Sequence, residues 1–322
     1  MRRINFTSSA SVLEQARQQK CEQERQQEWQ QTRRQSLRQL GQWLACAGLL
    51  SSSPAALATR PAARRLVSVG GALTEIVYAL DAAADLVGVD TTSLFPAAAQ
   101  KLPNVGYARA LSAEGVLALA PSQIIATEDA GPPAVMRQLA ASGIPLAVLA
   151  ANHRFEGLLE RVKRIGEITA RPSQASALMQ TLQGDWQRTQ LQVAANGAKV
   201  RVLFILAHTP NQIMVAGAQT SAQAMLEYVG ASNAIHQFTG YKPLTPEAVI
   251  AAQPELVLLT EQGLKTAGGV AGILRLPGLA QTPAGRNKRV LAQEAMFLLG
   301  FGPRLPAAVA TLHQAIAQVM RT

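Results

Sequence analysis

Residues 111–127, LSAEGVLALAPSQIIAT, and residues 244–260, LTPEAVIAAQPELVLLT, are two versions of one phrase, 133 positions apart. They agree at Leu, Glu, Val, Ala, Pro and Thr. Each reads as an N-cap (Ser112 or Thr245), an acidic residue in the first helical turn (Glu114 or Glu247), a short helix stopped near a proline, and an apolar strand. A helix–strand unit that recurs once, at half-chain distance, predicts two similar lobes. A tyrosine and a cation precede each repeated helix: Tyr107 with Arg109, and Tyr241 with Lys242. If the lobes face each other, those two segments meet across a cleft. Such a cleft suits a large, flat, anionic ligand with a hard metal better than it suits a catalytic triad.

Strands and helices alternate with short connections, which predicts an α/β fold: two lobes, each a parallel-type sheet flanked by helices. In the first half, 66–69, 86–89 and 145–149 read as strands, and 74–80 and 133–142 as helices. In the second, 200–207 and 257–260 read as strands and 221–229 as a helix. Between them, Pro172 opens about twenty residues of helical periodicity, which predicts one linking helix of roughly 30 Å. The resulting division is 1–58 as an N-terminal extension and export signal, 59–152 as the first lobe, 153–197 as linking helices and 198–322 as the second lobe. A single stiff helix between lobes allows only small hinge motion.

The segment LGQWLACAGLLSSSPAALA (40–58) has a short apolar core and ends in Ala56-Leu57-Ala58, a signal-peptidase pattern. Upstream, Arg33-Arg34 before an apolar stretch resembles a twin-arginine signal, with Ser36 at the usual phenylalanine position. Export by the Sec or the twin-arginine route is expected. Residues 1–31 read as an over-extended start of translation, and Cys46 is a poor lipoprotein cysteine because the apolar run continues past it. Removing 1–58 takes away both cysteines, 8 of the 30 basic residues and 4 of the 20 acidic ones, leaving a net charge of +6. The mature chain then has no disulfide, thiol nucleophile or thiolate metal site. No second apolar run reaches membrane-spanning length, and aromatic stacking platforms for nucleic acid are absent.

An enzyme is disfavoured. Gly70-Gly71 does not complete a dinucleotide fingerprint, no Walker A run occurs, and Gly230-Ala231-Ser232-Asn233-Ala234 lacks the last glycine of a nucleophile elbow. Four scattered histidines make a poor zinc or manganese cage. His153 and His236 fall on loops and His313 on an alanine-rich helix face.

Taken in order, VSVGGALTEIVYAL (67–80), AAQKLPNVGYARALSAEGVLALAP (98–121), FILAHTPNQIMVAG (204–217), YKPLTPEAVIAAQPELVLLT (241–260), LPGLAQTPAGRNKRVL (276–291) and FLLGFGPRLP (297–306) resemble the periplasmic hemin-binding proteins of bacterial ABC importers. These belong to the class with a single backbone helix that also includes vitamin B12 and ferric siderophore binders. The resemblance spans 64–320. It implies a monomer with no enzymatic activity that captures hemin and passes it to a permease and ATPase complex. A corrinoid or ferric siderophore is the alternative ligand. Asp81 stands where the family usually has a helix-ending glycine, and Asp tolerates the left-handed conformation better than most residues.

The resemblance also assigns roles. Tyr107, in Val105-Gly106-Tyr107, takes the position of the iron-ligand tyrosine. Ferric iron is hard and prefers an anionic oxygen, whereas a free phenol has a pKa of about 10. Arg109, two residues on in an extended loop, would hydrogen-bond the phenolate and favour its charge. His208, at the end of the strongest strand of the second lobe, is the candidate second ligand. Lys242 takes the place of a basic residue near the haem, with a propionate as its partner, and Tyr241 would stack on or close the pocket. Met296, Phe297 and Phe301 are the expected apolar wall. Glu75 matches an acidic residue that docks on the permease. In the second lobe Ser232 stands where B12 binders carry the matching glutamate, which leaves Glu227 or Glu247 as substitutes.

Overall fold

The computed structural model describes residues 64–195, 199–209 and 212–321, all within one compact unit, Pro61–Thr322. The export signal, Arg33-Arg34 and Cys46 lie outside the described residues. No helix among the described residues is long and apolar enough to cross a membrane.

The first half runs β1 (Leu66–Val69), α1 (Gly71–Ala79), β2 (Leu86–Val89), α2 (Ala113–Leu117), β3 (Gln123–Thr127), α3 (Pro133–Ala141) and β4 (Leu146–Leu149). Its strands form a four-stranded parallel sheet in the order β2-β1-β3-β4. Every residue of β1 is buried, as expected of a central parallel strand covered on both faces. Asp81 ends the segment after α1 at φ 56°, the left-handed conformation anticipated for it.

Two helices follow, α4 (Phe155–Ile168) and α5 (Pro172–Ala195). The second has 24 residues and so spans about 36 Å. Its buried residues, Ala175, Leu182, Trp186 and Thr189, recur at helical spacing along one face.

The second half runs β5 (Arg201–Thr209), β6 (Gln212–Ala216), α6 (Ser221–Tyr228), β7 (Ser232–Asn233), β8 (Tyr241–Pro243), α7 (Pro246–Ala252), β9 (Leu256–Thr260), α8 (Glu261–Thr266), α9 (Gly269–Leu274), α10 (Pro283–Arg286), β10 (Val290–Gln293), α11 (Ala295–Leu299) and α12 (Leu305–Arg321). Its sheet, β10-β9-β5-β6-β8 with β7 beside β5, is mixed rather than parallel throughout. The difference has a simple cause: only two residues join β5 to β6, and a parallel return needs a crossover of a dozen or more. The sequence between the two strands, Pro210-Asn211, is of a turn-forming type. Among the described residues β8 pairs with β6 alone, and an edge strand can accommodate Pro243.

Side-chain alternation divides each sheet between two cores. Val67, Val69, Ile124 and Ala126 enter a core closed by α2 and α3, while Leu203, Ile205, Val257 and Leu259 enter a second core on the far side of the other sheet. The opposite faces meet in one shared core. Leu66 and Ile125 from the first sheet join Val202, Phe204, Leu256 and Leu258 from the second, with α1, α4, α5, α6 and α12 packed between.

The repeat is visible in detail. The Ser112 hydroxyl accepts from the Gly115 N–H and the Thr245 hydroxyl from the Ala248 N–H, each at 3.3 Å. The residues before Pro121 and Pro254, Ala120 and Gln253, are both left-handed, at φ 43° and 42°. Each unit then delivers the strand that pairs with the central β1 or β5.

Candidate functional site

A cavity of about 720 Å³ opens between the two sheets. It is reached by the C-terminal ends of β1, β3, β5 and β9, through Gly70-Gly71, Thr127, Leu206 and Thr260. Ligands of open α/β sheets gather at such ends. Gly70, at φ 126°, brings the backbone close there: a Cβ on it would meet the Thr127 methyl at 2.5 Å.

Tyr107 stands on the rim, 41% exposed. Nη1 of Arg109 donates to its phenol oxygen at 3.1 Å. The same guanidinium donates through Nε to Asp129 at 3.0 Å, and Nη2 also pairs with that carboxylate. Burial works against a charge on Asp129, but hydrogen bonds from Thr127 and Arg109, with the arginine's charge, outweigh it and hold the carboxyl below the ordinary carboxylate range. Asp129 thus fixes the plane of a guanidinium that in turn fixes the tyrosine. Sequence reasoning missed Asp129. The available signal was its place just beyond the repeated strand, at the sheet's ligand-facing end.

Tyr241, the first residue of β8, also lines the cavity. Burial raises its pKa, opposed by hydrogen bonding to Ser221 and by the charge of Arg109. Lys242 corrects an expectation. Adjacent residues of a strand point to opposite faces; Lys242 does not line the cavity, and its ammonium lies over the Phe238 ring at 4.9 Å. Met296 and Phe301 line the cavity. Phe297 does not: its ring lies 5.2 Å from the guanidinium carbon of Arg304. His208 falls within β5, one residue before its end; its side chain is outside what the structure describes.

His153, read from sequence as an ordinary loop residue, lines the cavity instead. It adopts φ 43°, and its ring lies 5.3 Å from that of Phe301. Burial, then the charge of Arg161, lowers its pKa and favours the neutral imidazole. Arg161 also lines the cavity. Its signal lay in the α4 pattern, where the buried residues Phe155, Leu158, Arg161, Val162 and Ile165 put an arginine on an apolar stripe.

Glu75 is 5% exposed, which conflicts with the docking surface expected of it. Arg304 donates to both of its oxygens, at 3.0 and 2.5 Å, and also to Glu294 at 3.1 Å, while Phe95 covers the guanidinium at 4.2 Å. Burial raises the Glu75 pKa against the pull of Arg304. A carboxylate held this way cannot reach a second protein without releasing its arginine. Glu227 and Glu247 are exposed.

The family described as periplasmic binding protein matches residues 66–294. A solved structure of "periplasmic heme-binding protein BhuT in complex with two hemes" is 43% identical, with a TM-score of 0.77 over 80% of this chain and 99% of that one. The apo form of the periplasmic heme-binding protein RhuT from Roseiflexus sp. RS-1 is 36% identical, with a TM-score of 0.77 over 80% and 99%. A periplasmic heme binding protein from Pseudomonas aeruginosa is 38% identical, with a TM-score of 0.73 over 78% and 92%. Among curated relatives, an uncharacterized ABC transporter substrate-binding lipoprotein of Bacillus subtilis is 25% identical over 79% of this chain and 80% of its own. A vitamin B12-binding protein of Pectobacterium atrosepticum is 25% identical over 61% and 71%.

Proposed function

The chain belongs to the periplasmic binding protein family, and we propose that within it the protein captures hemin and delivers it to the permease of an ABC importer. The observation that carries this reading is the phenol–guanidinium–carboxylate chain Tyr107–Arg109–Asp129 on the rim of a largely apolar cavity. A phenol oxygen is a suitable donor for ferric iron, and an arginine on that oxygen favours its anion. In this reading Tyr107 is the iron ligand, Arg109 its hydrogen-bond partner, Tyr241 a cover from the opposite wall, and Met296 and Phe301 apolar contacts for the ring. His208 remains the candidate second ligand. Thr127, Glu128 and Asp129 at the end of β3, and Thr260 and Gln262 at the end of β9, supply polar groups to the cavity. Two arms of polar contacts on an apolar slot suit a flat amphiphilic ligand.

The likeness to heme-binding structures at 36–43% identity supports hemin over the alternatives. Action in the periplasm, after removal of the segment ending at Ala58, follows from the same reading. So does docking on a permease through exposed carboxylates such as Glu227 and Glu247, with the lobes held nearly fixed by α5 and the shared core.

The deciding experiment is an absorption titration of residues 59–322 with hemin, cyanocobalamin and a ferric hydroxamate in parallel. A saturable phenolate-to-iron charge-transfer band with hemin, and no binding of the other two, is the expected outcome. Binding of cobalamin instead would replace this reading with that of the B12 binders.

A further inference from the structure

Three arginines serve the cleft and its surroundings, and two have carboxylates. Arg109 has Asp129, and Arg304 has Glu75 and Glu294. Arg161 has none: it forms no ion pair among the described residues, although it is only 5% exposed. Nη1 donates to the Ala150 carbonyl and Nη2 to the Phe301 carbonyl, each at 2.8 Å. Nε has no hydrogen-bond partner.

This is an expensive arrangement. A buried guanidinium without a counter-anion forgoes the interaction that usually offsets its lost hydration. Arginine does not escape by losing its proton, because its pKa lies too high. Burial pushes that pKa down here, and Glu128 and Glu160 restore it only in part. Glu128 lines the same cavity but forms no ion pair with Arg161, and one of its oxygens accepts from the Ala151 N–H at 3.0 Å. Packing alone would be better served by leucine or methionine at this point of the α4 stripe. The position is also distinctive. The two carbonyls belong to the segment leaving β4 and the segment after α11, so the guanidinium sits where both halves close the floor of the cavity.

We propose that Arg161 is the carboxylate anchor of this cavity, supplying the fixed positive charge that a carboxylate of the ligand neutralises on binding. The inference rests on the hemin reading and refines it: a propionate turns inward toward Arg161, and a porphyrin without free carboxylates binds less well. Nη1 and Nη2 each bond one carbonyl and keep a second hydrogen, and these provide the donors, while Nε is enclosed.

The test compares hemin with hemin dimethyl ester, which keeps the ring and iron and loses both charges. Affinities for the two are measured with native 59–322, Arg161→Met and Arg161→Lys, with folding monitored by circular dichroism. Native protein should prefer hemin by about tenfold or more, the scale of one charge-assisted contact. In Arg161→Met that preference should disappear, through loss of hemin affinity with ester affinity nearly unchanged. Arg161→Lys should retain part of it. A native protein that binds both ligands equally overturns the anchor, and so does a preference that survives in Arg161→Met. Equal losses for both ligands would make Arg161 a strut between the two carbonyls. If native protein binds neither ligand, the hemin reading itself fails. Should Arg161→Met not fold, the native comparison and the lysine variant still decide.

Discussion

The Gly-Tyr pair before α2 and the Gly-Tyr pair before α7 start from the same residues and reach different environments. Gly106 and Gly240 are both left-handed, at φ 95° and 80°. After Gly106 the chain turns, with the Ala110 N–H closing on the Tyr107 carbonyl at 2.8 Å, and the tyrosine stands out on the rim beside Arg109. After Gly240 the chain extends into β8, where Tyr241 pairs with Ala216 and lies half-buried. The spacing accounts for this: six positions separate Gly106 from Ser112, and five separate Gly240 from Thr245. One extra residue makes room for a turn and for an arginine on the same side as the tyrosine. Without it the next residue is Lys242, which strand geometry sends to the other face. A duplicated scaffold thus presents an exposed phenol bonded to an arginine on one wall and a half-buried one on the other.

The largest effect should come from the tyrosines themselves. Tyr107→Phe is expected to abolish the ferric charge-transfer band and to weaken hemin binding by more than ~100-fold, beyond the usual cost of losing an outer-shell partner. Tyr241→Phe should cost only a few-fold, with the band intact. Equal losses, read in the same spectral titration, would erase the asymmetry. Next is Arg109→Ala, expected to cost on the order of tenfold near neutral pH. Arg109 donates to the Tyr107 oxygen at 3.1 Å, and the variant loses that contact. Asp129, held below the ordinary carboxylate range, keeps the native clamp charged into mildly acid pH. Spectral hemin titrations of both proteins provide the check: the charge-transfer band should move in Arg109→Ala, and a band that stays in place while affinity falls would move Arg109 to a propionate.

Smaller effects probe where the halves are alike. Ser112→Ala and Thr245→Ala remove matching caps, and each should lower unfolding free energy by about 1 kcal/mol in chemical denaturation. A cost confined to one would show that the repeated helices differ in their dependence on the cap. Ala120→Gly and Gln253→Gly relieve two left-handed residues and should each stabilise by roughly 0.5 kcal/mol, because the conformational relief exceeds the added chain entropy.

Legibility followed the range of the interactions involved. The repeat announced both caps, the Pro-terminated helices and the strands after them, because those depend on neighbours a few positions away. The helix from Pro172 was equally plain, and Asp81 took its left-handed conformation for a local reason. The mixed character of the second sheet was harder to see, since Pro210-Asn211 had to be weighed against a pattern of alternating strand and helix. At the site, Tyr107 with Arg109 was readable as a loop pair, but Asp129 enters from another strand end. Glu75 misled for the same reason. Its partner, Arg304, is 229 positions away, and nothing on α1 signals that the carboxylate turns inward. His153 and Arg161 carried weak signals. A histidine in a loop is commonplace, and an arginine on an apolar stripe becomes telling only once the stripe's burial is known.

The core shared by the two sheets bears on how the protein comes apart. Leu73, Ile76 and Val77 of α1, Phe155 and Leu158 of α4, and Phe204 and Met225 of the second half occupy one continuous apolar interior. A fragment ending at residue 152 would leave α1's inner face open to water, and one beginning at 198 would strip Val202 and Leu258 of their cover. Neither piece is a foldon of its own, so melting should be a single transition read alike by every probe. A ligand held in the cleft then protects both halves at once, and its binding free energy appears as one upward shift of that transition.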